Sequence, residues 1–285
     1  MAGPLMAKPN TGVSAAGPSL VERGLAALPL LAPGTAGLGH LALFGAPQSY
    51  ILINAAALLT GVVWAMIGWL PKADTLARGG TLALILILAL TLRLGPEADG
   101  ITRWFALGSF TLHVGLLVIP TLAVLSARDD LLGPFVLLFA LAIAAFQPDA
   151  ASALALTGAA FGLALANFDR RAAAIGGVGL FVVAWTALMP NLAPQPFVER
   201  VLADLWSASP LAALALASSL IASLALILRA PAPAPTRHAL AGALAGFILA
   251  ALLGDYPTPL IGYGAASIIG LGLALPAIRK EEPAR

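Results

Sequence analysis

The sequence predicts an all-α, polytopic membrane protein with about ten transmembrane helices and both termini cytoplasmic. Three observations predict it. Of its 285 residues, 60% are hydrophobic and only 10% charged, with a mean hydropathy of +0.96, far from the mixture found in a soluble domain. The 29 glycines and 22 prolines, alongside abundant alanine, suit helices whose backbones approach closely inside a bilayer. The apolar segments are continuous rather than alternating, which argues against a closed β-barrel.

Apolar runs bounded by charges or turn residues place spans at 25–44, 50–70, 79–94, 109–126 and 131–146, then at 150–166, 172–189, 209–228, 239–253 and 259–278. Several are shorter than the roughly 20 residues that comfortably cross hydrocarbon. Pro29 and Pro33 kink the first span, so a neighbouring helix has to satisfy the backbone groups they free. Residues 1–24 carry Lys8 and Arg23 but no apolar stretch ending in a cleavage site. They read as a disordered cytoplasmic tail rather than a signal peptide, and residues 279–285 as a second cytoplasmic tail.

Charge placement tests the span count independently, because cytoplasmic loops collect Lys and Arg. With the N-terminus inside, Lys8, Arg23, Lys72, Arg78, Arg128, Arg170, Arg171, Arg229, Arg237, Arg279, Lys280 and Arg285 are cytoplasmic, twelve of the fifteen basic residues. Only Arg93, Arg103 and Arg200 face out. Losing one span would put later loops on the wrong side. The outer face also carries Glu97, Asp99, Asp149, Glu199, Asp204 and Asp255, so it is acidic. Its longest loop, 190–208, contains an amphipathic stretch from Phe197 to Trp206 that is expected to lie along the interface as a helix. The proline-rich piece from Ala230 to Pro235 reads as a stiff connector.

Several function classes drop out. The chain has no cysteine, which removes disulfides, thiolate catalysis and Cys-bound metals. His40, His113 and His238 are too scattered for metal-ligand spacing. No phosphate-cradling glycine loop, nucleophile elbow or nucleic-acid footprint is present. The basic residues are accounted for by orientation in the membrane.

What remains gathers on the outer side. Arg103 and Trp104 sit just before the fourth span, where a Trp anchors at headgroups and an Arg meets phosphate. Their alternative reading is an interfacial anchor. Gln147, Pro148 and Asp149 join spans five and six in a turn so short that Asp149 lies at or slightly below the interface. There it can N-cap span six or serve a function, since membrane-embedded carboxylates are rare without a task. The segment from Tyr256 to Ser267 opens span ten with two prolines and small residues around Tyr263, permitting irregular backbone beside a cavity or tight packing. Glu199 and Asp204 are five apart, about 140° around a regular helix, so that helix alone does not make a paired acid/base site.

In order along the chain, these segments resemble the SEDS family (shape, elongation, division and sporulation), membrane glycosyltransferases of the RodA and FtsW type. Gly100, Arg103, Trp104, Leu107 and Gly108 are similar to the family's G-x-x-R-W-x-x-L-G. Gln147–Pro148–Asp149 with Ala153–Leu154 is similar to Q-P-D-L-G-T-A-L, and the nine residues from Pro259 to Ser267 to P-F-I-S-Y-G-G-S-S. The resemblance covers roughly residues 94–278 and implies one SEDS-like transmembrane domain over 25–278. It also implies a place in the bacterial cytoplasmic (inner) membrane and a role in cell-wall synthesis, cell shape or division.

The implied activity is polymerisation of lipid II or another undecaprenyl-linked precursor beside a class B penicillin-binding protein, a transpeptidase, with a divalent cation as a possible cofactor. Aligning Pro194 with the proline of the family's P-x-x-x-T-D-F places Glu199 at the catalytic carboxylate. Arg103, Trp104, Gln147, Asp149, Tyr263 and Ser267 fall at substrate-binding positions. Departures accompany the matches. His113–Ile119 stands where the family has Q-P-S-E-x-x-K, without its Glu and Lys, and the outer loop is short and lacks a Gly-Gly motif. Gly262, Ala265 and Ala266 replace Ser, Gly and Ser. Two other readings stay open: a non-catalytic scaffold for a transpeptidase, and a transporter of a lipid-linked envelope precursor.

Overall fold

The computed structural model describes residues 19–71, 74–108, 110–189 and 192–279, so residues 1–18 and 280–285 of the two expected tails lie outside the described residues. The chain forms helices α1 (Leu20–Leu43), α2 (Gln48–Ile67) and α3 (Asp74–Leu94), then a hairpin of β1 (Trp104–Leu107) and β2 (Phe110–His113). Next come α4 (Val114–Ser126), α5 (Gly133–Phe146), α6 (Ala150–Asn167), α7 (Arg170–Ala187) and the short α8 (Val201–Ala208). The path ends with α9 (Pro210–Leu228), α10 (Ala234–Leu253) and α11 (Ala265–Ala274), which runs into a 3-10 turn. Each of the ten predicted apolar segments coincides with a helix. Among the described residues, six helices, α1, α2, α3, α6, α9 and α10, are long and apolar enough to cross a membrane. Leu59, Leu82, Phe139, Phe181, Leu211 and Ile221 stand exposed on the outside of the bundle, the apolar belt of a protein solvated by lipid.

Four boundaries differ from the sequence reading, each for a local reason. Ser19 and Glu22 form a capping box, so α1 starts at Leu20 instead of after a tail ending at residue 24. Residues 110–113, expected within the fourth span, pair antiparallel with β1, with Trp104 opposite His113 and Leu107 opposite Phe110. Gly108 turns the hairpin at φ +62°. The outer-loop helix begins at Val201, four residues later than expected, because Phe197 and Arg200 take left-handed backbone at φ +67° and +56°. Glu199 is therefore not on a helix with Asp204, and the angle between them on a regular helix does not apply. Finally, α11 opens at Ala265, because Pro257 and Pro259 remove donors and Leu260 and Gly264 have positive φ.

One of the backbone carbonyls freed by the prolines inside α1 meets a neighbouring helix. Pro33 has no N–H to donate to the Pro29 carbonyl one turn back, and the Ser223 hydroxyl of α9 donates to that carbonyl at 2.6 Å. Ser223→Ala is expected to cost about 1 kcal/mol, read as a lowered thermal midpoint of the purified protein. An unchanged midpoint would mean that the carbonyl needs no partner.

Small residues set the centre. Gly158 and Gly162 on α6 face Gly242 and Gly246 on α10 across an antiparallel crossing. A β-carbon on Gly158 would lie 2.1 Å from the Gly242 carbonyl oxygen, and one on Gly246 2.2 Å from that of Leu154. Such small-xxx-small faces let helix backbones touch where lipid gives no hydrophobic drive to associate. α4 is buried on nearly every side, as a helix apolar all round must be. Two apolar clusters flank this axis, one through Leu122, Leu141 and Leu156, the other through Leu30, Leu58, Leu220 and Leu271. α10 contributes to both, Ala243 and Phe247 to the first and Leu240 and Leu244 to the second.

Candidate active site at the hairpin end of the bundle

The hairpin ties the residue before β1 to the start of α4. The Val114 N–H donates to the Arg103 carbonyl at 3.0 Å, which fixes Arg103 beside His113. From the other side, Asp149 N-caps α6, its Oδ1 accepting from the Ser152 N–H at 3.2 Å and its Oδ2 from the Ser152 hydroxyl. The two meet in the interior. Arg103 is 3% exposed and Asp149 0% exposed, with Nη1 3.9 Å from Oδ1. Burying two charges is expensive, and their mutual attraction offsets that cost only when further bonds satisfy them.

Aromatic rings and a histidine complete the surroundings. The Arg103 guanidinium carbon lies 4.7 Å from the centre of the Trp104 ring and 5.4 Å from that of Tyr256, both within cation–π reach. His113 caps α4, with Nδ1 accepting from the Leu116 N–H at 3.3 Å. An Nδ1 that accepts carries no proton, so the ring is neutral with hydrogen on Nε2, and Nε2 sits 3.4 Å from Asp149 Oδ2. Arg103 Nε and Nη1 are buried without a hydrogen-bond partner among the described residues. Orphaned donors are rare in a native interior and mark sites poised for another acceptor.

Glu199 lies in the loop that covers this end. Its Oε2 accepts from the Gln195 N–H at 2.8 Å, which leaves Oε1 as a second acceptor. The loop is stitched to the α10–α11 connection: the Thr258 N–H donates to the Val198 carbonyl at 2.9 Å and the Tyr263 N–H to that of Phe197 at 2.6 Å. Glu199 itself bridges to Pro257. Burial pushes the Glu199 carboxyl above its ordinary value. The Gln195 and Glu199 N–H groups and the Arg103 charge pull the other way, and Asp255 adds to the rise. Arg200, beside it, pairs loosely with Asp204 at 3.7 Å and Asp255 at 4.0 Å. Exposed pairs of this kind contribute little.

The structure thus brings Arg103, Trp104 and Asp149 together, with Glu199 within electrostatic range of Arg103. It gives the remaining predicted positions other immediate tasks. The Gln147 side-chain amide donates to the Leu88 carbonyl at 2.8 Å and to the Thr91 hydroxyl, pinning the α5–α6 turn to α3. Tyr263 stacks on Tyr50, their centroids 3.6 Å apart and planes 6° from parallel. The Ser267 hydroxyl accepts from the Leu260 N–H at 3.1 Å and donates to the Gly264 carbonyl at 3.4 Å, closing the broken start of α11.

Sequence reasoning passed over three participants. His113 entered only as a histidine too far from the others for metal-ligand spacing and as the start of the stretch that departs from the family pattern, and Ser152 and Asn54 were not singled out. Buried Asn54 donates to the Gly262 carbonyl at 2.9 Å and accepts from the Gly264 N–H at 3.1 Å. An amide within an otherwise apolar span was the available signal. Among the described residues no group of three His, Asp or Glu side chains comes together that could hold a metal ion. Asp149 is already engaged by Ser152 and Arg103, so the donor set does not fit a protein-built cation site.

No protein-family model matches the sequence, and none of the curated proteins compared matches it. The fold does match solved structures. The rod shape determining protein RodA of Thermus thermophilus superposes with a TM-score of 0.60 at 22% identity, over 91% of this chain and 94% of that one. A mutant form of the same protein gives 0.62 at 22% identity, over 91% and 95% of the two chains. A chain from a peptidoglycan synthase complex, described for its coordination of polymerization and crosslinking, gives 0.57 at 23% identity, over 91% and 96%. This chain is an all-α polytopic membrane protein that shares the fold of the RodA structures.

Proposed function

We propose that the chain is a SEDS glycosyltransferase of the bacterial cytoplasmic membrane that polymerises lipid II at its outer face, with Glu199 as general base. What supports this reading is that Glu199, half-buried and with its pKa raised by burial, lies in the loop at the end of the bundle that holds the Arg103–Asp149 pair, within electrostatic range of Arg103. As the acceptor sugar's hydroxyl oxygen bonds to the anomeric carbon, Glu199 takes its proton. The bond from that carbon to the pyrophosphate breaks, and the undecaprenyl pyrophosphate leaves with the electron pair. On this reading the positive charge of Arg103 stabilises the charge that develops on the pyrophosphate. Asp149 pairs with Arg103 and His113 faces Asp149, while Trp104 and Tyr256 flank the guanidinium.

A base works only when ionised, and the folded value of Glu199 lies above the ordinary 4.5 of a glutamate. Polymer formation is therefore expected to fall on acidification from a higher pH than 4.5 would give, and to stay level on the alkaline side of that limb. The pH–rate profile checks this; an acid limb at or below the ordinary glutamate value would exclude Glu199 as the base.

A second reading is favoured by one specific feature. The ring of His113, where the family carries a polar stretch with Glu and Lys, is locked into the α4 cap and against Asp149, and supplies no cation. On that reading the chain is a scaffold for a transpeptidase without the chemistry. Complementation separates the two: Glu199→Gln rescues a deletion strain if the chain is a scaffold and fails to do so if it is a polymerase.

A further inference from the structure

At the end of the bundle opposite the hairpin, a cavity of about 440 Å³ opens between the start of α3, the end of α4 and the start of α5. Its size falls in the roughly 300–1,000 Å³ range of small-molecule sites. Leu82, Ile85, Leu125, Val136 and Phe139 give it apolar walls. Two features are not those of a passive lipid-facing dent. Ser126, 2% exposed, is among the residues that line the cavity, and its buried hydroxyl has no hydrogen-bond partner among the described residues. Arg78 stands at the rim, pairs with Asp129 through Nε at 2.8 Å and keeps its side chain 53% exposed. Asp129 is also occupied by the Leu131 and Leu132 N–H groups.

We infer that this cavity binds one anionic glycerophospholipid, its phosphate on Arg78, an ester oxygen on the Ser126 hydroxyl and an acyl chain along the apolar walls. The polar features follow the order of the ligand: charge at the rim, one buried donor within, hydrocarbon beyond. A second groove of about 290 Å³ between α5 and α7 shares Phe135 and Phe139 with the first, which gives the second acyl chain a path on the other side of those rings. Arg128 lies in the loop at the same end and Arg171 in the first turn of α7, where it pairs with Asp169, so the preference for an anionic over a zwitterionic headgroup rests on Arg78. The inference is independent of the catalytic reading, since the cavity lies at the other end of the bundle.

The test is native mass spectrometry of the full chain, delipidated in mild detergent and titrated with phosphatidylglycerol or phosphatidylcholine. The wild type is expected to hold one phosphatidylglycerol roughly tenfold more tightly than phosphatidylcholine. Arg78→Gln is expected to abolish the preference while leaving the thermal midpoint unchanged. Ser126→Ala, which removes the hydroxyl with little change of shape, is expected to weaken both lipids a few-fold, and Thr81→Trp, which fills the cavity, to remove both. Equal retention of the two lipids by the wild type, or a preference that survives Arg78→Gln, would overturn the inference. A chain dimer lost in Thr81→Trp, with no lipid adduct on the monomer, would assign the face to a second copy instead.

Discussion

Asp149→Ala is expected to destabilise the purified protein by about 3–5 kcal/mol, a fall in the thermal midpoint on the order of 10 °C. Asp149 is fully buried. It satisfies the first turn of α6 through Ser152, faces the neutral His113 ring and is the nearest anion to a guanidinium that is itself 3% exposed. Its removal leaves the Arg103 charge uncompensated where water does not reach, which costs far more than the pair gains. The comparison that isolates the pair is Arg103→Met with Asp149→Leu. Removing both charges is expected to cost clearly less than the sum of the single changes, because no orphan charge is left. A shift below about 1 kcal/mol for Asp149→Ala, within the range of an ordinary capping contact, would contradict the buried-pair account.

Glu199→Gln is expected to act on rate and leave the fold intact. Glutamine keeps the oxygen that accepts from the Gln195 N–H, and the loop is held to the α10–α11 connection by backbone bonds that the side chain does not make. The thermal midpoint should therefore move little. Polymerisation should fall by about 10²–10⁴-fold, the usual contribution of a positioned general base. The contrast with Asp149→Ala is diagnostic, since the proposal gives one carboxylate a role in proton transfer and the other a role in folding. A Glu199→Gln enzyme of undiminished rate would remove Glu199 from the chemistry.

The helical layout was legible because its signals are strong and local. Continuous apolar runs, prolines and the placement of Lys and Arg locate the ten apolar helices, and of the groups that Pro29 and Pro33 free in the first span, the Pro29 carbonyl is met by Ser223 of a neighbouring helix. Boundaries were read less well where tertiary pairing overrides hydropathy. Residues 110–113 are as apolar as the helix that follows, yet they pair with Trp104–Leu107, and no property of those four residues alone says so. Likewise the segment from Phe197 to Trp206 has helical periodicity throughout, but the carbonyls of Phe197 and Val198 are claimed by the N–H groups of Tyr263 and Thr258.

The site shows the same division. Arg103 and Asp149 stood out because charges near the membrane are rare, and the short turn after Gln147 already put Asp149 at a cap. That they share one interior pocket with His113 and Tyr256 depends on how α4, α6 and the α10–α11 connection pack, which spacing along the chain does not encode. Tyr263 and Ser267 were recognised by motif, and their present contacts are with Tyr50 and with the start of α11.

The central claim is most directly tested by incubating the purified wild-type chain, with a class B transpeptidase partner, with fluorescent lipid II and resolving the products by size. The account predicts a ladder of glycan polymer that disappears with Glu199→Gln. Lipid II recovered unpolymerised from a stably formed complex would contradict it and leave the chain as a scaffold with the fold of a polymerase.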